Sequence, residues 1–242
     1  MLAGYLAFVA GFVNSGGFVF IGSFTSHVTG TVGRLANDVA HADAPAATAA
    51  ASLVLAFFLG AFAASLIIEG SVEGRVATAY GVALLCQSGV LTVFVAVAGL
   101  SPADHPRVLD AEAAILCFAL GMQNSLVTRL SGAVIRTTHL TGVVTDLGIE
   151  AARWYRWQRA KLHSVPQLGG ERAPAERPAS WRSALLGVIV IAFIAGAILG
   201  ATLTEHTSRW AMALPAVAIF AASIFAFSQR GARASKLPPP SA

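Results

Sequence analysis

Six stretches without a charged side chain set the terms on which this chain folds: residues 1–33, 44–68, 76–103, 113–128, 183–204 and 210–228. Crossing the hydrocarbon core of a bilayer as a helix takes about 20 apolar residues. The fourth stretch is the shortest, bounded by Arg129. Hydrophobic residues make up 56% of the chain and charged ones 12%, where a soluble domain carries about a quarter charged. The fold class that follows is an all-α integral membrane protein with six transmembrane helices. The N-terminal stretch lacks a basic n-region, so it reads as a membrane helix and not as a cleaved signal peptide. Cys86 and Cys117 lie inside apolar runs and read as small buried hydrophobes, not as a disulfide or metal pair.

Residues 1–33 are too many for one crossing: a straight helix of that length extends about 50 Å against a core of about 30 Å. Gly16-Gly17 and Gly22-Ser23 are the candidate breaks. The expected arrangement is a helix over 2–22, a break, and a short helix from about Ser26 to Ala40 capped by Thr25 or Ser26. The same succession recurs. A helix over 111–130 meets the break Ser131–Ala133, and a second short helix capped by Thr137 or Thr138 runs to about Ala152.

That recurrence is also written in the residues. "SHVTG" at 26–30 returns as "THLTG" at 138–142, and Asn14-Ser15 returns as Asn124-Ser125. "FLGAFAAS" at 58–65 resembles "FIAGAILGAT" at 193–202 in its small-residue spacing. Two halves of three spans each must enter the membrane from opposite sides. The sequence therefore predicts two inverted three-helix repeats with broken first and fourth helices, an architecture common among secondary transporters.

Charge gives the orientation. Arg153, Arg156, Arg159, Lys161, Arg172, Arg177 and Arg182 fall between the fourth and fifth spans, Arg230, Arg233 and Lys236 follow the sixth, and Arg75 lies between the second and third. The opposite loops hold Arg34, Arg107 and Arg209 among Asp38, Asp43, Asp104, Asp110, Glu112 and Glu205. Cytoplasmic loops carry the lysine and arginine excess, so both termini are expected in the cytoplasm. The organisation reads as a first repeat over 1–103, the fourth span and short helix over 104–152, a linker over 153–182, the last two spans over 183–229, and a disordered tail over 230–242. The basic residues are too localised for nucleic acid. They suit anionic lipid.

The stretches "AGFVNSGGFVFIGSFTSHVTGTVGRLA" and "FALGMQNSLVTRLSGAVIRTTHLTG" resemble the YoaK-like family of six-span bacterial membrane proteins, whose domain is one of unknown function. The resemblance covers nearly the whole chain. It implies the six-span fold and a bacterial cytoplasmic (inner) membrane location, and it implies no activity. The family pattern has aspartate where Asn14 stands and asparagine where Thr31 stands.

Polar groups at membrane depth are costly and are usually functional or paired. His27, Thr31, Arg34 and Asp38 share one helical face, with His139, Val143, Asp146 and Glu150 as their counterparts. As a lining for a solute path the candidates are Asn14, His27, Thr29, Gly30, Thr31, Arg34, Gln123, Asn124, His139, Thr141, Gly142 and Asp146. Each also has a structural reading. The histidines can donate to carbonyls freed at the breaks, Thr29-Gly30 and Thr141-Gly142 can serve close helix approach, and the amides of Asn14, Gln123 and Asn124 can knit the halves together. Gln87 can bond to a neighbouring helix. The small-residue pairs Gly60/Ala64 and Gly196/Gly200 read as packing seams. No catalytic, metal or cofactor motif is present. The leading reading is a small-solute transporter working by alternating access. Its rivals are a non-transporting membrane scaffold and, third, an intramembrane enzyme using His27 or His139 as base. The expected partners are the lipid bilayer, a small solute or ion, and a second copy of the chain in a homo-oligomer.

Overall fold

The computed structural model describes residues 2–71, 76–100, 106–130, 140–162 and 180–234. Apart from short turns these form eight α-helices: α1 (Leu2–Ile21), α2 (Val28–Ala40), α3 (Ala44–Glu69), α4 (Val76–Leu100), α5 (Pro106–Leu130), α6 (Leu140–Leu162), α7 (Ser180–His206) and α8 (Ala213–Ala234), the last entered through a 3-10 turn over Arg209–Met212. Six helices, α1, α3, α4, α5, α7 and α8, are long and apolar enough to cross a membrane. This is a multi-pass membrane protein by length and composition. Its surface agrees: Leu55, Phe58, Phe62 and Leu66 form an exposed stripe along α3, and Val188, Ile191, Ile194 and Ile198 one along α7. Lipid tails accept such stripes, whereas water leaves large apolar patches as interaction sites.

Small residues decide which helices touch. A Cβ added to Gly11 of α1 would collide with the Phe193 carbonyl and the Ala197 amide of α7, and one on Gly196 or Gly200 would meet the Phe8 or Phe12 carbonyl of α1. A Cβ on Gly121 of α5 would collide with the Phe57 carbonyl of α3, and one on Gly60 with the Phe118 carbonyl of α5. In each case a glycine hydrogen points at a carbonyl oxygen, the geometry of a weak Cα–H···O bond, and helices approach as closely as their backbones permit. The two seams use matching positions of the sequence. Phe8 and Gly11 correspond to Phe118 and Gly121, and Phe57, Gly60 and Ala61 correspond to Phe193, Gly196 and Ala197.

These contacts also give direction. α1 runs parallel to α7, with Gly4 beside Val188 and Gly16 beside Thr204. α3 runs parallel to α5, with Gly60 at Phe118, Ser65 Oγ 2.8 Å from Ser125 Oγ, and Glu69 paired with Arg129. α1 and α5 run antiparallel, since Gln123 reaches Leu6 and Gly17 faces Leu116. α4 and α8 are likewise antiparallel, with Gly81 under the Phe227 ring and Gly99 under the Trp210 ring. The core between them is filled by Leu6, Leu84, Leu91, Phe94, Leu116, Leu120, Leu126 and Ile219.

Several boundaries differ from the sequence reading. The first helix runs through Gly16-Gly17 and ends at Ile21, and the break falls at Gly22, whose φ of +73° favours glycine. α2 is capped at His27, with no side-chain cap bond, and not by Thr25 or Ser26. α5 begins at Pro106, a residue whose fixed φ suits a helix start. The second short helix is not short: α6 has 23 residues and continues to Leu162, because the stretch after Glu150 is rich in arginine, alanine and aromatic residues that keep a helix going outside the apolar segment. The second break, expected over Ser131–Arg136, lies outside the described residues. Cys117 is buried, but Cys86 is exposed.

Candidate functional site

The first break is held by one amide. Asn14 Oδ1 accepts from both the Ser26 backbone N–H at 3.1 Å and the Ser26 Oγ–H at 2.9 Å. Phe18 and Phe24 stack across the same turn with centroids 4.2 Å apart. The chain thus leaves α1, turns at Gly22 and restarts at Val28 with its direction fixed from α1. The restart lies against the middle of α3. Thr25, Val28 and Thr31 face Leu53, Val54 and Phe57 of α3 and Cys117 of α5 across a narrow crevice. At 1.5 Å per residue this is roughly 14–20 Å along α3 from its start at Ala44. Non-helical backbone is tolerated at such depth only against protein or a wet cavity.

The pentapeptide has a local logic. The His27 ring lies over Gly30, where a Cβ would overlap its Cδ2 and Nε2 atoms. Glycine is needed there for the ring to fold onto the first turn of α2. Thr31 returns both its N–H, at 2.9 Å, and its hydroxyl, at 3.0 Å, to the His27 carbonyl. The N–H groups of a first helical turn have no partner inside the helix, and no side chain caps them here. Beside them the Thr25 hydroxyl is buried without a hydrogen-bond partner. The crevice admits no water molecule as it stands.

The remaining candidates are dispersed. His27, Thr29 and Arg34 are exposed, Thr31 and Asp38 half-buried, and α2 buries no residue fully, so the polar stripe on it faces outward and lines no enclosed cavity among the described residues. Gln123 sits at the centre: its Oε1 accepts from Gln87 Nε2 at 2.9 Å and its own amide N–H donates to the Leu6 carbonyl, tying α4, α5 and α1 together. This is the knitting role open to it in the sequence. Gln87 Oε1 is buried and unpartnered. Asn124 is buried beside it on α5 and its carbonyl accepts from Thr128 Oγ1 at 2.7 Å. Thr141, Gly142 and Asp146 lie on α6, and His139 lies outside the described residues. α2 packs on α3 and α6 on α7, and the two do not touch. Among the described residues each therefore leans on its own helix, and the start of the second pentapeptide at Thr138 and His139 lies outside them.

Sequence reasoning missed Glu112 and Arg209 by assigning them to loops. Glu112 is wholly buried within α5 and pairs with Arg209 of the 3-10 turn at 3.3 Å. The signal that could have found them is Pro106, a helix start five residues earlier than the apolar run suggests.

No curated protein and no solved structure matches the chain. A family profile described as a protein of unknown function matches residues 2–225. Spanning nearly all of the six-helix bundle and both seams, this match makes the chain a member of the DUF1275 family of proteins of unknown function.

Proposed function

We propose that the protein is a secondary transporter of a small solute, built as two inverted three-span halves, with its solute site at the α1–α2 break. The observation that carries this reading is the restart of α2 against the middle of α3, with uncapped N–H groups and the buried, unpartnered Thr25 hydroxyl beside them. Helix N-termini carry partial positive charge and spare donors, which suit an anion or the carboxylate of a zwitterion. The tight pairs α1/α7 and α3/α5 are rigid units by their backbone contacts, and the buried amide of Gln123 on α5 bonds to Leu6 of α1 where the units meet. Alternating access is then movement of one pair against the other, opening a crevice that is closed in this conformation.

A melting-temperature screen of the purified protein against small carboxylates and zwitterions tests the proposal, since a ligand of the folded state raises its stability with saturation. His27→Ala is expected to melt like the wild type and to lose the ligand-induced shift. A lowered melting point with the shift intact would return the pentapeptide to a purely structural role. The competing scaffold reading has one observation in its favour, a crevice too narrow for water. A screen with no active compound, together with no uptake into vesicles, decides for it.

The accompanying placement is in the bacterial cytoplasmic membrane with both termini and residues 153–182 inside. A cysteine replacing Ala42 is expected to react with an impermeant thiol reagent added to intact cells, and one replacing Gly169 is not. The reverse labelling would overturn the orientation.

A further inference from the structure

α6 does not stop where its packing stops. Val143 and Leu147 join Leu186 and Ile189 of α7 and Ala7 of α1 in one small cluster, and Glu150 is the last buried residue of the helix. From Ala151 to Lys161 no residue is fully buried, yet the helix continues to Leu162. About a dozen residues of helix are marginal in water without support, and α7 is the one helix that α6 packs on among the described residues.

Depth places the extension. The α7 span begins at Ser183, so Leu186 and Ile189 lie roughly 5–9 Å inside it. α6 leads to that end of α7, to which residues 163–179 connect it. Glu150 is two turns beyond Val143, roughly 10 Å along the helix, and so comes to the edge of the apolar layer. The headgroup layer is about 5–8 Å thick on each side of a bilayer. Arg153, Trp154, Arg156 and Trp157 fall at its level.

The chemistry is that of a membrane interface. Arg153, Arg156, Arg159 and Lys161 are exposed, and no acidic residue stands between Ala151 and Leu162. Trp154 and Trp157 meet edge to face with centroids 5.3 Å apart. Lys161 Nζ lies 5.5 Å over the Trp157 ring, and Arg159 Cζ 5.9 Å over that of Tyr155. Arg153 holds Glu150 Oε1 at 2.7 Å, and a guanidinium has further N–H donors. The positive charge does not depend on any one pairing. Across residues 146–182 seven basic side chains outnumber four acidic ones, Asp146, Glu150, Glu171 and Glu176, so every ion pair possible within the stretch leaves three cations over.

We infer that residues 151–162 of α6 are a binding surface for anionic phospholipid headgroups. The basic side chains take the phosphates, and the indoles anchor the helix at the same level. RNA shares the phosphate chemistry, but Trp154 and Trp157 stand at the bilayer boundary, where lipid is the phosphate at hand. The surface needs the six-span membrane fold and not the transport reading.

The test uses the full chain with Trp181→Phe and Trp210→Phe, which leaves Trp154 and Trp157 as the only indoles. It is placed in two nanodisc preparations of one mixture of phosphatidylglycerol and phosphatidylcholine. In one the anionic lipid carries brominated acyl chains, and in the other an equal amount of the zwitterionic lipid does. Bromine quenches an indole only at close range. Quenching is expected to be at least about twofold stronger with the brominated anionic lipid, and the difference to shrink as salt is raised. Arg156→Gln, Arg159→Gln and Lys161→Gln combined are expected to remove most of that preference, while Arg153 stays to hold Glu150. Arg156→Lys with Arg159→Lys keeps the charge and is expected to keep the preference. Equal quenching in the two preparations, strong or absent, overturns the inference. So does a preference that the Gln variant retains in full, or one that the Lys variant loses.

Discussion

Gly121→Leu is expected to leave no folded, monodisperse protein, and Gly121→Ala to melt far below the wild type. The reason is the identity of the atoms in the way. A Cβ at 121 runs into the Phe57 carbonyl and the Ala61 amide, which are backbone of α3. A flexible side chain could swing aside, but a helix backbone cannot yield locally. α3 and α5 would have to separate along their length, losing the Ser65–Ser125 contact and the Glu69–Arg129 pair with it. Overpacking a core usually costs about 1–3 kcal/mol. A clash against backbone in the seam of two transmembrane helices belongs to the exceptional class, about 4–5 kcal/mol or more for leucine.

The matching position makes the prediction sharper. Gly11→Ala meets the Phe193 carbonyl and the Ala197 amide in the same geometry, and is expected to lose as much as Gly121→Ala. Gly89→Ala on α4 is the control, since nothing lies within 4 Å of a Cβ there. It is expected to melt within a few degrees of the wild type. Elution profile and thermal melting in one detergent check all four variants. Gly121→Ala melting alongside Gly89→Ala would show that the seam is looser than its geometry implies.

The glycines illustrate how far sequence reasoning reaches. Small residues at 60 and 64, and at 196 and 200, announce a close approach by spacing alone. Spacing does not say to which helix. The answer, α3 with α5 and α7 with α1, pairs helices far apart in the sequence, and long-range pairing of apolar faces leaves no local trace. The six spans were legible because bilayer thickness imposes a length on any helix that crosses. α6 was misjudged for the complementary reason: once it leaves the apolar segment no thickness limits it, and helix propensity carries it to Leu162. The first break was legible to within a residue in Gly22, where backbone sterics speak directly. Its cap was not, because His27 takes the capping position through the fit of its ring on Gly30 and not through a side-chain bond. At the candidate site, Asn14 could be singled out as a polar group in an apolar span, but its partner twelve residues on could not.

That partner sets up the second large effect. Asn14→Leu is expected to destabilise the protein by about 2–5 kcal/mol, because it removes the acceptor of both the Ser26 N–H and the Ser26 hydroxyl. A buried donor left unsatisfied costs about 1–3 kcal/mol, and the two donors of half-buried Ser26 approach that cost where hydrocarbon offers no water to take over. Asn14→Asp is expected to behave differently. In its neutral acid form, which apolar burial tolerates better than a carboxylate, the side chain keeps an oxygen where Oδ1 sits and accepts the same two bonds. Its melting point should stay within a few degrees of the wild type. Ser26→Ala removes only the hydroxyl and is expected to cost about 1 kcal/mol. Combined with Asn14→Leu it should add little further, since the bond it deletes is already gone, and this non-additivity is the signature of a direct pair. Additive losses in the double variant, or an aspartate as damaging as leucine, would place the value of Asn14 in its NH₂ group and not in the oxygen that holds the break.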